Sequence, residues 1–131
     1  MESLFKKKVL VVGATGGIGR ETAKLIKQSN ADVFITGRDA AKLLEVKLDL
    51  GLDSSRVFEM DITDENSVES VANSIHDTIG TLDIIINAAG IGIIKPLEKL
   101  TYEDFDLTVA TNLRGTFNLL KSFLQTLFRF E

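Results

Sequence analysis

The chain has 131 residues, 44% of them apolar and 26% charged, which suits one globular domain with a real core. A net charge of -4 and a pI of about 5.0 exclude a basic surface for nucleic acid. The lack of cysteine excludes disulfides and thiolate metal sites.

No apolar run approaches a membrane span, and "MESLFKKKVL" lacks the uninterrupted apolar region of a signal peptide. The expected compartment is therefore the cytoplasm. One proline, no low-complexity tract and no fixed-period repeat leave residues 1–131 as a single domain.

Strand-like and helix-like runs alternate. "KVLVV" (Lys8 to Val12) is a continuous apolar run that suits a strand buried on both faces. "RETAKLIKQS" (Arg20 to Ser29) is amphipathic, with Ala23, Leu25 and Ile26 turned to one side and Asn30 as its stop. "DVFIT" (Asp32 to Thr36) is a second strand, followed by a helix from Asp39 to Leu50 that Gly51 closes. "RVFEM" (Arg56 to Met60) is a third strand. A helix from Thr63 to Ile79 follows, with an imperfect capping box from Thr63 to Asn66 and a buried stripe of Val68, Val71, Ala72 and Ile75. "LDIIIN" (Leu82 to Asn87) is a fourth strand. After the loop "AAGIGIIKP", "TYED" (Thr101 to Asp104) caps a long helix reaching Phe128, with Gly115 bending it or packing it closely.

Short connections between such runs mean βαβ units, and hence a parallel sheet with right-handed crossovers. Four strands with helices on both faces make about half of a doubly wound domain.

Four glycines, Gly13, Gly16, Gly17 and Gly19, fall within seven positions after the first strand. A phosphate placed there meets free N–H groups and the positive end of a helix dipole, and side chains would block it. Gly13 makes the turn, Gly17 lets the backbone approach a pyrophosphate, and Gly19 lets helix and strand pack closely. The plainer alternative is an ordinary tight turn. The strand before it and the amphipathic helix after it favour dinucleotide binding.

"GATGGIG" (Gly13 to Gly19) resembles the Gly-x-x-x-Gly-x-Gly fingerprint of the short-chain dehydrogenase/reductase family, although Val12 stands where a Thr usually precedes it. "MDITD" (Met60 to Asp64), "INAAG" (Ile86 to Gly90) and "TNLRGTFNL" (Thr111 to Leu119) are similar to three further family motifs, in family order. Ile86 replaces an Asn in the second of these. The resemblance implies a Rossmann-like sheet with strands in the order 3-2-1-4. It also implies a cofactor site of Gly13, Thr15, Gly16, Gly17, Ile18, Gly19, Arg38, Asp61, Ile62, Asn87, Ala88 and Gly90, and places the family's catalytic Asn at Asn112.

Each residue has a second reading. Asp61 either accepts from the adenine amino group, with Ile62 beside the ring, or caps the helix starting at Thr63. Arg38 pairs with a 2′-phosphate, which favours NADP over NAD; Asp39 clouds this unless it is a helix cap. Asn87 lies near the cofactor ribose or makes a purely structural bond, and Ala88 keeps the loop small. Asn112 holds a proton-relay water in a complete family member, or merely marks a helix bend. His76 reads as a surface residue, and no second histidine completes a metal site. Phe117, Phe123, Phe128 and Phe130 read as core or interface.

The family's chemistry uses a Ser and a Tyr-x-x-x-Lys beyond a fifth strand. The lone tyrosine, Tyr102, stands elsewhere, with Asp106 four residues on. The expectation is a cofactor-binding half without dehydrogenase activity alone. A non-catalytic NADP-sensing or regulatory module and an unliganded relic are the alternatives. A bare "DIIIN" edge and exposed Leu119, Leu120, Phe123 and Leu127 on the long helix predict a homodimer or higher homo-oligomer.

Overall fold

The computed structural model describes residues 3–128; Phe130 lies outside them. Four parallel strands, β1 (Lys8–Val12), β2 (Asp32–Gly37), β3 (Val57–Glu59) and β4 (Ile84–Asn87), form one sheet in the order β3-β2-β1-β4. This is the expected Rossmann-like order. Val11 sits opposite Ile35 on one side and Ile86 on the other, so the central strand reads as unbroken apolar sequence.

Alternation along β1 divides the core. Val9 and Val11 pack with Ala23 and Ile26 of α1 (Gly17–Gln28) and with Leu43, Val46 and Leu50 of α2 (Ala40–Leu50). Leu10 and Val12 face the other way. They pack with Val68, Val71, Ala72 and Ile75 of α3 (Glu65–Ile79) and with Leu119 and Phe123 of α5 (Gly115–Leu127).

Local chemistry sets the helix ends. Asp39 caps α2, its Oδ1 accepting from the Lys42 N–H at 3.0 Å, and Gly51 closes that helix at φ +59°. α3 is capped by Asp64, which accepts from the amides of Asn66 and Ser67, not by Thr63. Thr101 and Asp104 form the expected capping box at α4 (Tyr102–Val109).

Three expectations need correction. The long helix is interrupted by a π turn over Ala110–Arg114, between α4 and α5. Leu119 and Phe123 are core residues, because α5 lies over the sheet beside α3; Phe117, Leu120 and Leu124 are the exposed ones. Leu25 is exposed, since the α1 stripe runs through Ala23 and Ile26 alone.

Two acidic groups tie distant segments together. The Lys8 N–H donates to Asp83 Oδ2 at 2.8 Å, which holds that carboxyl below its ordinary pKa, with Lys7 adding to the effect. Asp104 is likewise lowered, first by the Lys95 ammonium and then by the Thr101 amide. Among the described residues no helix is long and apolar enough to cross a membrane, and no cluster of His, Cys, Asp and Glu is placed to hold a metal.

Candidate functional site

The chain leaves β1 at Val12 and starts α1 at Gly17, after the four residues Gly13–Gly16. Gly13 turns at φ +78°, in the left-handed region. A Cβ on Gly13 would lie 2.6 Å from the Ala89 nitrogen, so the loop after β4 presses directly on this turn. A Cβ on Gly19 would lie 2.2 Å from the Gly13 carbonyl oxygen, so Gly19 lets α1 begin tight against the turn. Gly17 differs: nothing lies within 4 Å of its Cβ position. Its bareness serves open space, not packing.

Gly16 occupies the N-cap of α1 and supplies no side-chain bond. Of the four described α-helices that begin from a loop, α1 alone lacks a side-chain cap; Asp39, Asp64 and Thr101 serve the others. First-turn amides have no partner within a helix. At α1 no side chain caps them, and they stand at the positive end of the helix dipole.

Three loops converge on this mouth. Thr15 packs on Gly37 at the end of β2, where a Cβ would come within 2.7 Å of the Thr15 methyl group. Beyond β3, the Asp61 N–H donates to Ser67 Oγ at 3.1 Å, and Asp61 Oδ1 accepts from the N–H and the hydroxyl of Thr63. Ile62 is buried under Gly115, whose missing side chain leaves it room, and its carbonyl accepts from Asn118 Nδ2 at 3.1 Å.

The β4 loop is held from both sides. Asn87 Oδ1 accepts from the Ala89 N–H, while Asn87 Nδ2 donates to Thr116 Oγ1. Asn112, in the π turn, binds both polar groups of Ile91: Oδ1 accepts from its N–H at 2.9 Å, and Nδ2 donates to its carbonyl at 2.8 Å. The π turn therefore presents Asn112 to a loop rather than simply bending a helix.

Together these loops enclose a cleft of about 320 Å³ beyond the carboxyl ends of the strands. Of the sequence-predicted residues, Gly13, Thr15, Gly16, Arg38, Asp61, Ile62, Ala88 and Gly90 line it. Gly17, Ile18, Gly19, Asn87 and Asn112 are not on its wall: Ile18 is exposed, Gly19 is packed, and the two asparagines brace the β4 loop from behind. Sequence reasoning missed Lys42 and Thr111, which do line it. Thr111 was visible only as part of a motif. It is buried, and its hydroxyl has no partner among the described residues. Tyr102 is exposed on α4 and His76 on α3, both away from the cleft.

An uncapped helix start, a glycine turn and two cations, Arg38 and Lys42, make this cleft suited to an extended anion. The profile described as short chain dehydrogenase matches residues 7–130. The chain belongs to the short-chain dehydrogenase family.

Several proteins resemble it along nearly its whole length. An uncharacterized oxidoreductase from Staphylococcus aureus (strain MRSA252) is 32% identical over 127 residues, 97% of this chain but 55% of the relative. Among solved structures, a short-chain type dehydrogenase/reductase from Mycobacterium ulcerans superposes with a TM-score of 0.85 at 27% identity, covering 95% of this chain and 48% of the other. The ligand-free aldohexose dehydrogenase of Thermoplasma acidophilum shares the fold, with a TM-score of 0.78 at 23% identity, covering 95% and 45%. The chain thus spans about half the length of the relatives it matches.

Proposed function

We propose that this chain is the NADP(H)-binding half of a short-chain oxidoreductase domain, and that it does not turn substrate over by itself. The observation that carries the reading is the start of α1: uncapped by any side chain, with open space around the Cβ position of Gly17. That is the geometry a diphosphate needs, because each oxygen can meet a backbone N–H without a side chain in between. Ile18 and Gly19 contribute as backbone in the same turn.

The rest of the cleft supports an adenosine placed beside that diphosphate. Asp61 Oδ1 is taken by Thr63, which leaves Oδ2 to accept from an adenine amino group, with Ile62 below the ring. Ala88 and Gly90 offer a side-chain-poor wall for a ribose, and Asn87 holds that wall in place.

Arg38 supports NADP over NAD. It is exposed at the end of β2 and enters no ion pair with a described residue. The neighbouring Asp39 has an oxygen committed to the α2 cap, which favours a capping role for it over ribose recognition.

The nicotinamide of such a cofactor supplies hydride chemistry when bound. A partner proton must come from a positioned acid, which typically contributes about 10²- to 10⁴-fold in rate. The only tyrosine lies off the cleft, which supports a chain inactive alone, with Asn112 bracing the Ile91 backbone. The exposed apolar residues of α5 favour the second reading, a non-catalytic NADP-sensing or regulatory module working through oligomerisation.

Titration calorimetry with NADPH and NADH tests the reading, coupled to an NADPH-oxidation assay against a panel of ketones and aldehydes. The expected result is saturable binding, tighter for NADPH, without turnover. Turnover that survives repurification contradicts the inactive half, and a lack of any binding contradicts the site.

A further inference from the structure

We propose that residues 92–109 form a hinged strap, held shut by a clasp between Asn112 and Ile91 and locked when a ligand fills the cleft. The locking rests on the NADP(H) reading above; the hinge does not.

The chain leaves the cleft wall at Ile91 and returns to it at Thr111. Between them lie a 3₁₀ turn at Leu97–Lys99 and α4, and neither contains a buried residue. Ile94 is 99% exposed, Leu97 83% and Tyr102 88%. A segment that buries so little apolar surface opens at low cost. Among the described residues, no side-chain hydrogen bond or ion pair joins 92–109 to the rest of the fold.

Within itself the segment is tied. Asp104 Oδ2 accepts from the Lys95 ammonium at 2.7 Å and from the Thr101 N–H at 3.0 Å, and Thr101 Oγ1 accepts from the Asp104 N–H. These bonds make it move as one body. Its ends are joints. At Gly92 nothing lies within 4 Å of the Cβ position, and the far end is the π turn over Ala110–Arg114. Glycine and a π turn are both places where backbone bends readily.

Asn112 closes the neck between these joints. Its side chain holds both polar groups of Ile91, 21 positions away in sequence. Gly90 is bare beside the clasp: a Cβ there would lie 3.3 Å from Asn112 Oδ1. Ile91 and Thr111 line the same cleft, so parting the neck parts two pieces of its wall. The Thr111 hydroxyl is buried, with no partner among the described residues. A ligand that meets both residues keeps those contacts only while the neck is shut. That difference in contact is what lets occupancy shift the hinge.

The chain has no cysteine, so Tyr102→Cys on the strap and Leu48→Cys on α2, both at exposed positions, take a pair of spin labels cleanly. Double electron–electron resonance reads the distance between them, with labelled chain diluted in unlabelled chain so that only distances within one chain count. The free chain should show a closed distance and a broader open population. Saturating NADPH should leave the closed distance alone, and hydrogen exchange of the Ile91 N–H should slow. Asn112→Ala should make the open population dominant in the free chain and weaken NADPH by about fivefold. Circular dichroism verifies folding, and the wild-type comparison stands without the variant. A single unchanged distance in free wild type, saturated wild type and Asn112→Ala overturns the strap. If NADPH binds but both populations persist, the locking is overturned while the NADP(H) reading stands. If NADPH does not bind, that reading and the locking fall together, and the clasp is judged by free wild type against Asn112→Ala.

Discussion

Gly17 and Gly19 sit two positions apart and do opposite work. Gly19 is bare because the Gly13 carbonyl leaves no room, whereas Gly17 is bare over open space. Gly19→Ala should therefore cost about 2–3 kcal/mol of stability, as overpacking does, read as a lower urea midpoint. Gly17→Ala should keep or slightly raise the midpoint, since alanine favours a helix, yet lose NADPH binding. Equal midpoints for the two variants would contradict this division. The glycine pattern was legible because its demands are local: a turn, a close approach and a helix start follow each other in the chain. Arg38 was legible too, by its place just after a strand. Lys42 and Thr111 were not, because only the folded chain brings the first turn of α2 and the π turn to one cleft. Leu119 and Phe123 were misread as exposed because the sequence shows α5 as apolar on more than one side, and contact with α3 and the sheet decides which side is covered.

Strands and helices follow from period and caps, and they were readable to within a few residues. The break at Ala110–Arg114 was not, since its causes are tertiary: Asn112 reaches both polar groups of Ile91, and Gly115 sits on Ile62. At the other end of the sheet, β1 and β4 are joined by reciprocal bonds, with the Asp83 N–H donating to the Lys8 carbonyl and the Lys8 N–H to the Asp83 carboxylate. That carboxyl is lowered below its ordinary 3.8 in the folded chain. The unfolded chain then binds the proton more readily, so the stabilisation is present above 3.8 and is lost as pH falls through the lower folded value. Asp104, lowered by Lys95, acts in the same direction. Asp83→Asn should lower the urea midpoint at neutral pH, and its gap from wild type should close in acid. Parallel midpoint curves down to the acid limit would contradict this coupling.

At the scale of the molecule, both sheet edges, β3 and β4, and one helix face lack partners among the described residues. β4 pairs only with β1, and its isoleucines are half-buried. Phe117, Leu120 and Leu124 lie exposed along α5. An open apolar edge and such a face each favour self-association. Light scattering at micromolar concentration should give a dimer or larger, and Phe117→Lys with Leu120→Lys should shift it toward monomer. A wild-type monomer at that concentration would contradict it. The glycine turn and the cleft around it are the region to which the proposal assigns the cofactor. Amide chemical-shift mapping of the ¹⁵N-labelled chain during NADPH titration tests that region most directly. The account predicts the largest shifts at residues 13–19, at Arg38, and at residues 61–62 and 88–90. Unmoved glycine-loop amides at saturating NADPH, or shifts confined to the opposite groove that Leu43, Leu44 and Val57 line between α2 and β3, would contradict it.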